Sequence, residues 1–193
     1  EKIEKSITEL KDAIEIERAE KENILAEAGK IEEAGFDASH VTGSTELGSG
    51  ELRRRLELIQ KNASRSKEIK EETGTFDKRD QSDEIDRFQN SLADPLKVEE
   101  YEKGLMDLKE RISEIKGKRE EIRKQIEDWR SKGFIVSEME EKMDLPIDEL
   151  EAFRDGFSSK IIELMALKEN ISSMDHRWLE KQFEEVELMV NDP

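Results

Sequence analysis

Two uncommon residue pairs recur in this chain at one fixed distance along the sequence. Gly35-Phe36 returns as Gly133-Phe134, and Asp94-Pro95 returns as Asp192-Pro193, in both cases 98 residues later. The same offset aligns further identical residues without a gap, among them Leu10 with Leu108, Ile14 with Ile112 and Ile24 with Ile122. Self-similarity at a fixed period is the signature of repeated structural units. The sequence therefore predicts a tandem duplication, with helical repeat 1 over 1–95 and helical repeat 2 over 96–193.

Each predicted repeat begins with an apolar stripe whose members are spaced alternately by four and three residues. In repeat 1 the stripe positions are Ile3, Ile7, Leu10, Ile14, Glu17, Lys21, Ile24, Ala28 and Ile31. In repeat 2 they are Tyr101, Leu105, Leu108, Ile112, Ile115, Arg119, Ile122, Ile126 and Trp129. This heptad pattern is typical of a long helix that packs along other helices in the manner of a coiled coil.

Local signals divide the rest of each repeat into three further helices. The Gly-Phe pairs predict the ends of the first helices, since glycine adopts the left-handed conformation that closes a helix. Short helices are predicted to begin at the N-cap candidates Ser39 and Ser137. Second long helices are predicted over 50–72 and 148–172. Last helices are predicted over 78–92 and 176–190, with Asp77 and Asp175 as their N-caps. The predicted fold class is all-α, with two tandem ~98-residue bundles of three main helices and one short helix each, in an elongated arrangement.

In unit length and helix number alone, the repeats resemble spectrin-type three-helix repeats. The resemblance implies a role as a spacer or a docking surface. Repeats of that type usually share a continuous helix across the boundary between units. Here Asp94-Pro95 predicts an interruption of the helix, because proline disfavours helical conformation in the residue before it.

The composition excludes several classes of function. The chain has 193 residues, a net charge of −17, no cysteine and two histidines. A disulfide framework and a cysteine-ligated metal site are therefore impossible. The negative charge argues against nucleic acid or an anionic membrane as a partner, and no apolar run approaches the roughly 18 residues of a membrane span. The absence of cysteine and the abundance of Lys and Glu favour a cytoplasmic location, and a first residue that is Glu1 leads us to expect a segment of a longer protein.

No pattern in the sequence predicts a catalytic residue, a cofactor site, a metal site or a small-molecule substrate. The acidic run that includes Asp77, Asp80 and Asp83 has a spacing of three and lacks the glycine of a calcium-binding loop. The glycine-rich segment 43–50 lacks the lysine of a phosphate-binding loop and follows no predicted strand. We therefore expect no enzyme activity within this segment.

Three side chains are candidates for a partner contact or for fixing the helix register. Trp178 occupies the position of Asp80 in repeat 1, and an aspartate there indicates a surface position. Trp178 is therefore a candidate partner contact, and the competing interpretation is a core residue at the end of the bundle. Lys21 and Arg119 share one stripe position. Their stems are expected to lie along the seam with the charged heads in water, or else the base fixes the helix register.

The sequence thus favours a non-enzymatic helical repeat segment that acts as a spacer or protein–protein interaction scaffold, through a protein partner or self-association. The alternative is a dimerising coiled-coil arm of a larger ATPase or signalling enzyme, which would couple catalytic domains. The two hypotheses differ in whether the heptad seams are filled within one chain or by a second chain.

Overall fold

The computed structural model describes residues 2–173, 185–186 and 189–191, and every regular element in these ranges is helical. The α-helices are α1 (Lys2–Glu33), α2 (Ser39–Thr42), α3 (Ser49–Gly74), α4 (Ser82–Ser91), α5 (Val98–Ser131), α6 (Ser137–Glu141) and α7 (Ile147–Ser172), with a 3-10 turn over Pro95–Lys97. The all-α prediction is confirmed. Most of the last predicted helix, 176–190, lies outside the described residues.

The chain divides into two compact units. The first comprises Glu1–Phe76 and Ser82–Leu108, and the second comprises Asp77–Gln81 and Lys109–Pro193. Helix α5 therefore contributes its first 11 residues to the first unit and the remainder to the second. Pro95 does interrupt the helices, as expected, but it does so within the first unit. The repeat boundary at that residue is a boundary in sequence and stays a prediction.

Two apolar clusters form the core of the first unit. One joins the second half of α1 to α2 and α3, through the buried residues Ile24, Ala28, Ala38, Val41, Leu52, Leu56 and Ile59. The other joins the end of α3 to the segment after α4 and the start of α5, through Ile69, Leu92, Tyr101 and Leu105, with Phe76 and Phe88 packed against them. Burial of large aliphatic side chains in this way is the main favourable term in folding.

A single apolar cluster forms the core of the second unit. Its buried members are Ile122, Ile126, Trp129, Phe134, Val136, Met139, Ile147, Leu150, Phe157 and Ile161. The ring centroids of Trp129 and Phe157 are 5.3 Å apart, within the range of favourable aromatic pairs.

Helices α1 and α3 run parallel in the first unit. Contacts between α1 and α3 advance in one direction along both helices, from Glu20 with Arg53 at 3.6 Å to Glu27 with Gln60 at 3.4 Å. A bundle with short loops normally alternates in direction. Here the segment 34–48, which contains α2, returns the chain before α3 begins, and so α3 can follow the same direction as α1.

The glycine signals at the helix ends are confirmed. Gly35 and Gly133 have φ values of 90° and 87°. The following amides of Phe36 and Phe134 donate to Ile31 O at 3.2 Å and Trp129 O at 3.1 Å, which is the long-range bond of a Schellman end. A side chain at either glycine would be strained by the left-handed backbone.

The N-cap assignments need correction. The cap residues of α2 and α6 are Ala38 and Val136, neither of which makes a side-chain cap bond, so Ser39 and Ser137 are the first helical residues. Helix α4 begins at Ser82, later than predicted. Asp77 does not cap it, because its carboxylate instead accepts from the Arg79 amide at 3.1 Å.

Candidate protein interface

The first half of α1 presents a bare apolar face. Every residue from 2 to 16 is exposed. Among them are the stripe residues Ile3, Ile7, Leu10 and Ile14, each between 49% and 76% exposed. We call these four residues the α1 stripe. Among the described residues, the chain itself covers the heptad seam of α1 only in the second half of the helix, where Ile24 and Ala28 are buried.

Glu17 marks the point at which α1 becomes covered. Its carboxylate accepts a bond from the Ser49 amide at 2.6 Å and from the Ser49 hydroxyl at 2.7 Å. These bonds hold the pKa of Glu17 below its ordinary value, because they stabilise the charged form. Ser49 is the first residue of α3, and its amide is one of the unpaired donors of a helix start. Because α3 begins there, it does not extend alongside the α1 stripe.

The hydrogen bond between Glu17 and Ser49 also bears on whether the glycine-rich segment 43–50 could bind a phosphate. A phosphate-binding loop offers free backbone amides at a helix N-terminus. Here the first amide of α3 is already bound by a carboxylate. This segment therefore serves to start a helix.

The corresponding stripe of α5 is covered by the preceding helices of the first unit. Tyr101, Leu105 and Leu108, which lie 98 residues after Ile3, Ile7 and Leu10, are between 3% and 5% exposed. Tyr101 and Leu105 belong to the cluster with Ile69 and Leu92. The Tyr101 hydroxyl donates to Ser91 O at 2.6 Å. One heptad pattern thus gives a bare face in α1 and a buried face in α5.

Arg119 is buried, so the expectation that its charged head lies in water is wrong. Its guanidinium bonds to the Asp80 carboxylate at 3.0 and 3.1 Å and donates to Met143 O at 2.6 Å and Leu145 O at 2.7 Å. Asp80 also accepts from the Ile147 amide, the first of α7, at 2.5 Å. The pair therefore connects the segment 77–81, α5 and the start of α7 within the second unit.

The outcome is different for Lys21 and Trp178, the other two residues singled out from the sequence. The Lys21 side chain is 26% exposed and lies 4.0 Å from Glu17, in agreement with a stem along the seam and a head near water. Trp178 lies outside the described residues, so its assignment as a partner contact stays a prediction. The sequence analysis did not predict the ion pair of Asp80 with Arg119. The signal was Arg119 itself, because a basic residue at an apolar stripe position needs a buried acidic partner.

The described part of the chain contains no group of His, Asp or Glu residues that could hold a metal ion, and none of its helices could cross a membrane. A concavity of about 770 Å³ lies between α3 and the start of α5. Arg65 in its wall is paired with Glu68 at 2.8 Å and with Glu102 at 2.9 Å, which leaves this base engaged.

Comparison of the chain with protein-family models, with curated proteins and with solved structures finds no match. The exposed apolar face of α1 and its buried counterpart in α5 are therefore the features from which a function can be inferred.

Proposed function

We propose that the chain is a non-enzymatic helical repeat that acts as a protein–protein interaction scaffold, with the α1 stripe as its contact surface. The observation that carries this proposal is the exposure of four large apolar side chains in heptad spacing on one helix face. A contiguous apolar surface of this kind is a common mark of an interaction site. The spacer role belongs to the same proposal, and so does a cytoplasmic location, which the absence of cysteine favours.

The energetics of a bare helix support this proposal. Isolated helices of about 15 residues are marginal in water, because most helical stability in proteins comes from the packing of an apolar face. Residues 2–16 have no such packing in the described chain. A partner that covered the stripe would remove apolar area from water and would stabilise this half of α1 at the same time.

The proposal includes the duplication of the repeat, with coiled-coil-like packing of its long helices. Several structural features recur at the offset found in the sequence. Helices α3 and α7 begin at Ser49 and Ile147 and end at Gly74 and Ser172, each pair 98 residues apart. The Asp37 amide donates to Ala93 O at 2.8 Å, and 98 residues later Ile135 donates to Asn191 O at 2.7 Å. These matched features support two copies of one helical unit.

The test of the proposed function places a photoreactive amino acid at position 10 in cells that produce the protein. We expect a specific protein to be captured from position 10 and not from position 16. Ile16 is a matched control because it is also exposed, but it lies about 150° around the helix from the stripe at 3.6 residues per turn. The captured protein should bind the purified chain and lose affinity for Leu10→Lys but not for Ile16→Lys. Equal capture at both positions would contradict the proposal.

The alternative function, a dimerising coiled-coil arm of a larger ATPase or signalling enzyme, is favoured by the heptad spacing of the same stripe. In a parallel two-stranded coil, the residues at position 10 of both chains would face each other. The chain contains no cysteine, so Leu10→Cys introduces a unique thiol. A disulfide-linked pair of Leu10→Cys chains, formed under mild oxidation and not seen with Ile16→Cys, would favour the arm over the scaffold.

A further inference from the structure

We infer that the α1 stripe binds a helix of another protein, which lies parallel to α1 in line with α3 and has an apolar face wider than the stripe itself. This inference rests on the proposed function, because it names the kind of partner that the stripe binds. The way in which α3 covers the second half of α1 shows what such a partner needs.

The α1 stripe is continuous with an interface inside the first unit. Its heptad spacing runs on into the part of α1 that α3 covers, where Ile24 and Ala28 are buried. Helix α3 follows the direction of α1 and begins at Ser49, whose amide lies 2.6 Å from the Glu17 carboxylate. From Glu17 back to Ile3, α1 extends for about 21 Å at 1.5 Å per residue. A parallel helix of about four turns would therefore cover the stripe in line with α3.

The contact between α1 and α3 has the side-chain pairs of a parallel coiled coil, in which residues beside the two apolar seams face each other. Glu20, just before stripe position 21, lies 3.6 Å from Arg53. Glu27, just before stripe position 28, accepts from Gln60 at 3.4 Å. Arg53 and Gln60 each directly follow a buried apolar residue of α3. The covered half of α1 thus pairs with polar side chains beside the seam of the helix that it contacts.

The equivalent positions beside the α1 stripe are small and uncharged. The residues just before stripe positions 7 and 14 are Ser6 and Ala13, and both are exposed. Small side chains there leave room for a larger apolar residue on the facing helix, because close packing favours large residues opposite small ones. The partner therefore needs a third apolar residue in each heptad, at the position where α3 has Arg53 and Gln60.

A second copy of α1 lacks this third apolar residue. In a parallel pair of α1 helices, Ser6 of one chain would face Lys11 of the other, and Ala13 would face Arg18. Neither base would meet an acid at that position. Arg18 already pairs with Glu22 of its own helix at 3.0 Å. The residues beside the stripe therefore favour a helix of a different protein over a second copy of this chain.

Two synthetic peptides of about four helical turns test the inference. Each is held helical by a covalent staple on its polar face and carries leucine at the two seam positions of every heptad. The wide peptide also has leucine at the position that corresponds to Arg53 of α3, and the narrow peptide has arginine there. We expect the full chain to bind the wide peptide at least about tenfold more tightly in fluorescence polarisation titrations, because each added leucine is buried.

Matched variants of the full chain show whether the peptide binds at the stripe. Ile7→Lys should weaken binding of the wide peptide at least about tenfold, since it places a charge in an apolar contact. Ile16→Lys should change it less than about twofold, because residue 16 lies on another face of α1. Both residues are exposed in the unbound chain, so both variants should fold.

Ser6→Glu gives the α1 stripe the acidic neighbour that the covered half of α1 has. It should reduce the preference for the wide peptide at least about threefold, because the new carboxylate attracts the arginine of the narrow peptide. The reduction should be smaller in 1 M than in 0.1 M NaCl, since salt screens the attraction. Thr8→Glu is the matched control, because it adds the same charge at an exposed position away from the facing helix.

Disulfide formation tests the direction of the bound helix. The chain contains no cysteine, so Glu4→Cys and Arg18→Cys each place one thiol beside an end of the stripe. The wide peptide is prepared with a cysteine at its N-terminal or its C-terminal end. A parallel partner should react faster through its N-terminal thiol with Glu4→Cys and through its C-terminal thiol with Arg18→Cys.

Four results with the peptides overturn the inference: equal binding of the two peptides, equal effects of Ile7→Lys and Ile16→Lys, an unchanged preference in Ser6→Glu, or the opposite order of disulfide formation. If position 10 captures a second copy, or a protein through a segment without three apolar residues per heptad, the inference fails and the proposed function stands. If position 10 captures no more than position 16, or only a segment of its own chain, both fail.

Discussion

The buried pair of Arg119 and Asp80 gives the sharpest prediction of this structure. The two side chains are 10% and 8% exposed, and their closest atoms are 3.0 Å apart. Asp80→Ala would leave the guanidinium bonded to two backbone carbonyls without the carboxylate that pairs with it. It would also remove the acceptor of the Ile147 amide at the start of α7. Both effects destabilise the second unit.

The size of the effect follows from the burial of the pair. Removing one partner of a buried ion pair typically costs about 3–5 kcal/mol, because the remaining charge is left in a poorly solvated place. We expect a loss of this size in the free energy of unfolding of the second unit. Arg119→Met in the Asp80→Ala background removes the unpaired charge. The double variant is therefore expected to be more stable than Asp80→Ala alone.

Urea unfolding monitored through Trp129 fluorescence measures this loss, since Trp129 lies in the core of the second unit. All variants would carry Trp178→Phe so that one tryptophan reports. The matched control is Asp144→Ala, which removes a carboxylate that is 90% exposed and pairs with Arg79 at 2.6 Å. Such a surface pair contributes at most about 1 kcal/mol. The reasoning would be refuted if Asp80→Ala cost no more than Asp144→Ala, or if the double variant were the least stable.

Three further changes test other parts of the structure. Gly104→Ala should lower the free energy of unfolding by about 1–2 kcal/mol, because the new Cβ would lie 2.6 Å from the Phe88 ring. Gly117→Ala is the control in the same helix; its Cβ would have no atom within 4 Å, so it should raise the free energy of unfolding by about 0.5–1 kcal/mol. Urea unfolding in which the two variants changed stability in the same direction would contradict this prediction. The side-chain and backbone bonds from the neighbouring arginine hold the pKa of Asp77 at about 2, below its ordinary 3.8. The stabilisation from the ionised carboxylate of Asp77 is therefore complete above about pH 4 and is lost as pH falls toward 2. In urea titrations, the difference in the free energy of unfolding between wild type and Asp77→Asn should shrink as pH falls over that interval, and a difference that grew would contradict the prediction. Trp178→Ala should change stability by less than about 0.5 kcal/mol if the residue is a surface contact, whereas a loss of about 3 kcal/mol or more in thermal or urea unfolding would assign it to a core.

The positions of the long helices could be predicted from local signals. The second long helices were expected at 50–72 and 148–172, and they are found at Ser49–Gly74 and Ile147–Ser172. The first helices stop at Gly35 and Gly133, as the Gly-Phe pairs predicted. Such signals succeed because helix periodicity and left-handed glycines depend on residues close together in the chain.

The hydrogen bonds at the starts of the second long helices could not be predicted. Ser39, Ser137 and Asp77 were the predicted caps of other helices, whereas the amides at the starts of α3 and α7 are bound by Glu17 and Asp80. These acceptors lie 32 and 67 residues away along the chain. No local pattern predicts such a cap, because the acceptor reaches the helix start only after the chain has folded back on itself.

The sequence by itself determined that the chain is helical, where its long helices end, and which face of each helix is apolar. The tertiary structure alone decided what covers that face. Ile7 and Leu105 have the same place in the same heptad pattern, yet Leu105 is buried against Ile69 and Ile7 is exposed. The physical reason is that an apolar stripe lowers its free energy against any complementary apolar surface. Its spacing therefore specifies a buried face without specifying the partner that buries it.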